Sequence, residues 1–167
     1  GRVRPHRDEK ILTAWNGLMI GGLANAAAAL AEPHYAVIAA RAADTILEVM
    51  MAEGRLMRRW KDGEAKFPGY LDDYAFLAAG LIELYHATFD ARWLRHAEGL
   101  TRAADQLFHD DQNGGYFMAA SDDPSVLIRS KVDHDGAEPA GNSVMAMNLL
   151  RLGRLLDDDG FISRAEE

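Results

Sequence analysis

The 167 residues of this chain carry 26 acidic side chains against 18 lysines and arginines, a formal charge of −8, and 49% of them are hydrophobic. A chain of this length can bury about 70% of its unfolded surface in one core, while its acidic balance repels a phosphate backbone and excludes nucleic acid as a partner. With no cysteine, these residues can form no disulfide framework, thiol nucleophile or thiolate metal site.

The basic start, with Arg2, Arg4, Arg7 and Lys10, has neither the apolar core nor the cleavage site of a signal peptide, so a cytoplasmic location is expected. Residues 11–31 contain no charge and are long enough to test as a membrane span. Their glycines, asparagines and alanines give little transfer energy, and no membrane association is expected. The pattern instead predicts a helix over 13–31, apolar nearly all round and buried on several sides. After a short connection at 32–34, Tyr35, Ile38, Ala39, Ala42, Ile46, Val49 and Met50 line one face of a second helix, with Arg41, Asp44 and Glu48 opposite. That helix packs on one side only.

Residues 56–60, the turn Asp62-Gly63 and residues 64–67 read as a β-hairpin. A second all-round apolar helix is predicted over 72–88, joined through 89–91 to an amphipathic helix whose buried stripe includes Trp93, Leu94, Ala97, Leu100, Ala104 and Phe108. Gly114-Gly115 and Asp122-Asp123-Pro124 suggest a second hairpin, 116–119 with 126–129. A third apolar helix follows over 142–156, and a third outer helix begins near Phe161.

Asn16, Asp73 and Asn142 recur at intervals of about 60 residues, one helical hairpin plus its loop. The expected fold is all-α: a partial α/α toroid over residues 1–167, of about three hairpins with the last incomplete and short β-hairpins in the loops. An incomplete ring leaves an open edge, and a second copy of the chain is expected to cover it.

The inner helices run in one direction, so their N-terminal ends and the preceding loops gather at one mouth. Trp15, Asn16, Tyr70, Asp72, Asp73, Glu138, Asn142 and Ser143 are expected there, and such carboxylates, amides and rings suit a saccharide. Asp72, Asp73 and Glu138 are the candidate acid and base groups, because glycoside chemistry needs two carboxyls facing each other across a sugar. Trp15, Asn16, Tyr70, Asn142 and Ser143 are the candidate substrate-binding residues. Asp72 and Asp73 also open a helix and can cap it, Thr13 is the expected cap of the first helix, and Asn142 or Ser143 of the third. A prenyl-type aspartate box lacks its third acid at Phe76, the acidic turns lack the calcium-loop pattern, and the histidines lack i, i+4 pairs. No metal and no cofactor are expected.

Three stretches carry a family resemblance: Arg4-Pro5 leading to the run from Lys10 to Ile20 (KILTAWNGLMI), residues 71–77 (LDDYAFL) and residues 135–144 (DGAEPAGNSV). They resemble the YyaL family, related to spermatogenesis-associated protein 20. The resemblance implies a thioredoxin-like domain upstream, absent from this chain, and a six-hairpin α/α toroid like that of glycosidases and N-acylglucosamine 2-epimerases. It brings no established reaction. A carbohydrate-active or carbohydrate-binding toroid is expected, glycosidase-like or sugar-isomerising if catalytic; the competing expectation is a scaffold that docks the thioredoxin-like domain or another protein.

Overall fold

The computed structural model describes residues 2–5 and 7–167. Three helical hairpins follow one another. They are α1 (Thr13–Leu30) with α2 (Pro33–Val49), α3 (Leu71–Thr88) with α4 (Ala91–Phe108), and α5 (Gly141–Leu156) with α6 (Asp159–Ala165). The connections inside the hairpins share one geometry. Ala31, Phe89 and Asp157 each end an inner helix in the left-handed conformation, at φ 56°, 54° and 55°, which turns the chain sharply and satisfies the last carbonyls. The outer helices then start on strong signals: Pro33 at the head of α2, Asp90 accepting from Arg92 N, and Asp158 accepting from Gly160 N.

The middle inner helix lies at the centre. α3 packs against α1, α4 and α5, and Leu71, Leu77, Ala78, Leu81, Ile82 and Leu84 are all fully buried, which explains why its sequence is apolar all round. It meets α1 through glycines. A methyl group on Gly17 would lie 2.5 Å from Leu77 N, and one on Gly80 would strike the Gly17 carbonyl, so the two backbones approach as only glycine permits.

The loop between the first two hairpins forms a small antiparallel sheet of β1 (Ile11–Leu12), β2 (Met51–Ala52), β3 (Arg55–Lys61) and β4 (Glu64–Pro68). β3 pairs with all three others. The β3–β4 turn is the expected Asp62-Gly63, both with positive φ.

Three local expectations are corrected. Residues 116–119 and 126–129 form no hairpin. Met118 N does bond Ser130 O across the turn, but Phe117 N pairs with Phe108 O, Leu71 N with Met118 O and Tyr116 N with the Asn142 side chain. Arg129 meanwhile reaches back to the carbonyls of Ala119, Leu107 and Phe108. Thr13 is not a cap, because its hydroxyl is drawn 2.6 Å from Met57 O of β3. Neither Asn142 nor Ser143 caps α5: the position before the helix is Ala140, whose N–H is taken by Asp135.

Candidate functional site

The N-terminal ends of α1, α3 and α5 and the face of β3 converge at one mouth. Trp15, in the first turn of α1, is 60% exposed, and its indole N–H donates to Glu138 Oε1 at 2.9 Å. This bond joins residues 123 positions apart and ties the loop before α5 to α1. Glu138 therefore has a fixed side chain at the rim of a depression of about 320 Å3 that also includes Asp72, His134 and Gly141. Asp72 is half-buried on the wall of this depression. Burial raises its pKa above the ordinary carboxylate value; Arg58 opposes that rise, the charge of Glu138 adds to it, and the Gly141 N–H opposes it. A side chain at position 141 would strike Asp72 Oδ1, so the glycine gives the carboxyl its place.

Asp73 points the other way, as adjacent helical residues do. It is buried, with Oδ1 accepting from Ala14 N at 3.1 Å and Oδ2 from Tyr70 N at 2.9 Å and Arg58 Nη1 at 3.1 Å. Burial raises its pKa, opposed by the Tyr70 N–H, the Arg58 charge and the Ala14 N–H. With three donors on its two oxygens it locks α1, β3 and α3 together. Arg58 is held from a second side by the ring of Tyr70, 4.8 Å from its guanidinium carbon.

The amides are committed to the backbone. Asn16 donates to Leu12 O at 2.8 Å. Asn142 accepts from Tyr116 N and donates to Tyr116 O and Val132 O, at 2.7, 2.9 and 3.0 Å, stapling the long loop to the head of α5. Ser143 is exposed beside it. The mouth therefore brings together Trp15, Asp72 and Glu138, whereas Asp73, Asn16 and Asn142 use their polar atoms to hold its walls.

Two residues at the mouth were not among the sequence candidates. Arg58 was findable: Leu56, Arg58 and Trp60 share one face of a strand, and a buried Leu56 turns that face inward. His134 lies in an irregular loop, where no periodicity signals it. Among the described residues no three His, Asp or Glu side chains converge as a metal site would require.

Three consecutive helical hairpins with an aligned set of inner helices define a segment of an α/α toroid. The cellobiose 2-epimerase of Bacillus thermoamylovorans superposes on 98% of this chain with a TM-score of 0.78 at 15% identity, the chain covering 44% of that structure. The GH76 α-mannanase of Bacteroides thetaiotaomicron superposes on 96% of it with a TM-score of 0.72 at 16% identity, again over 44% of that structure. By sequence the chain belongs to the spermatogenesis-associated protein 20 family. It is 43% identical to the human protein of that name over 162 residues, 90% of the chain, and 41% identical to the mouse protein over the same length. The chain spans about a fifth of the length of these curated relatives. No family model matches it. No helix among the described residues is long and apolar enough to cross a membrane.

Proposed function

We propose that this segment forms part of the saccharide-facing mouth of a carbohydrate-active or carbohydrate-binding toroid, with Asp72 and Glu138 as its acid–base pair. The observation that carries the reading is their meeting, from α3 and from the loop before α5, in one depression beside an exposed indole. Asp72, with its raised pKa, is the proton donor; Glu138, oriented by Trp15, is the base. Trp15 offers an apolar ring face to a pyranose, and Arg58 and Tyr70 fix the opposite wall. Asp73, Asn16 and Asn142 act by positioning, and Ser143 is free to meet a hydroxyl. The relatives of known structure whose names specify a cellobiose epimerase and a mannanase supply a matching ligand class.

The test is thermal shift of the chain against mono- and oligosaccharides, since a ligand that binds the folded state raises its melting temperature. A shift lost in Asp72→Asn and Glu138→Gln is expected. No shift with any sugar would overturn the reading in favour of a scaffold that docks a thioredoxin-like domain or another protein.

We also propose that a second copy of the chain covers its open flanks. Met19 and Leu30 on α1 and Met147 on α5 are 62%, 60% and 55% exposed, and apolar faces of this kind favour association.

A further inference from the structure

Away from the mouth, the outer helices α2 and α4 flank a groove of about 340 Å3 floored by the β2–β3 turn, within the size range of small-molecule sites. Its walls are apolar: Leu47 from α2, Met51 from β2, and Leu100 and Ala103 from α4. Each of its polar side chains can donate a hydrogen bond. Arg95 and His96 stand along α4, and neither forms an ion pair among the described residues. Tyr74, 2% exposed, also lines the groove. Its hydroxyl oxygen accepts from Leu56 N at 3.0 Å, and its own hydrogen finds no acceptor among the described residues. In a chain with 26 acidic residues, none lines this groove. The nearby carboxylates of Asp73 and Asp122 are already paired with Arg58 and Arg55.

A glycine opens the space. Gly99 lies in the middle of α4, where glycine is the least favourable residue after proline. A Cβ built there meets nothing within 4 Å, so no packing constraint requires the glycine. Its structural consequence is a wider groove beside Arg95 and His96.

We propose that the groove between α2 and α4 binds an aliphatic carboxylate of medium chain length, its chain along the Leu47, Met51 and Leu100 walls and its head on Arg95, His96 and the Tyr74 hydroxyl. An unpaired guanidinium beside a second nitrogen donor and an orphan O–H matches a carboxylate, which accepts several charge-assisted hydrogen bonds at once. The apolar walls match an alkyl chain and give nothing to a sugar, so this site is independent of the mouth.

The test is isothermal titration and thermal shift of the chain with decanoate, decanol and decylammonium, each below micelle formation. Decanoate is expected to bind saturably and raise the melting temperature, and the other two to bind at least tenfold more weakly. Arg95→Gln, on the exposed side of α4, should weaken decanoate by roughly tenfold or more, and Gly99→Leu should abolish binding while the unliganded melting temperature shows the fold intact. Absence of saturable decanoate binding would overturn the proposal, as would equal binding of decanol or an affinity unchanged in both variants. Decanoate binding that survives Gly99→Leu but falls in Arg95→Gln would place the anion elsewhere on the surface and equally overturn it.

Discussion

At the scale of single residues, Asp72 and Asp73 are adjacent in sequence and opposite in duty, and substitution separates them. Asp73 is 1% exposed, and removing its carboxylate leaves Arg58 unpaired and two backbone N–H groups without acceptors. Asp73→Ala is expected to cost about 3 kcal/mol, read as a lowered urea midpoint. Asp72 behaves differently because its pKa is raised in the fold. Below the ordinary carboxylate value both folded and unfolded states are protonated, and Asp72 contributes nothing to pH dependence. Between that value and the raised one the folded state keeps a proton that the unfolded state has lost, so its contribution falls as pH rises. Asp72→Asn removes this loss, and its stability relative to the parent should increase from acid to neutral pH in paired denaturation curves. A difference that stayed flat with pH would refute the assignment. The sequence placed both aspartates at the mouth but could not divide their roles. The division rests on which oxygens meet Ala14 N, Tyr70 N and Arg58, partners from α1, the preceding loop and β3, and no local pattern encodes such distant contacts.

At the scale of elements, periodicity made the helices legible. α3 reads as buried all round because it is flanked on three sides, and α4 reads as amphipathic because one face meets solvent. What periodicity could not show is how closely α1 and α3 approach. Glycine within a helix normally destabilises it by about 1 kcal/mol relative to alanine, so Gly17 and Gly80 look like weaknesses in sequence. Their positions against opposing backbone reverse the sign: Gly80→Ala should destabilise by about 2–3 kcal/mol despite its better helix propensity. Gly22 provides the control, since a Cβ there meets nothing within 4 Å; Gly22→Ala should stabilise by about 1 kcal/mol. Paired urea titrations of the two variants check both signs. The second hairpin was misread for a related reason. Its turn residues are suitable, but Tyr116 N is taken by the distant Asn142 side chain and Phe117 N pairs back with Phe108 O.

At the scale of the whole molecule, the repeat is carried by three inner-to-outer turns of the same left-handed geometry, which stack the hairpins so that each covers its neighbour. The central helix is covered on every side and its flanking partners are not. This asymmetry explains why Phe76 of α3 is buried while Met19, at the equivalent position of α1, is 62% exposed. Met19 lies on a flank of α1 that no other described element covers. A surface of this kind is expected to bind another apolar face from water. On the second-copy proposal, sedimentation equilibrium of the 167-residue chain should show a mass above that of the monomer that rises with concentration, and Met19→Glu should return it to the monomer without lowering the melting temperature. The charge is chosen because it leaves the buried side of α1 untouched and makes the exposed face costly to desolvate. A monomer at every concentration would show that the unpaired faces of α1 and α5 do not recognise each other.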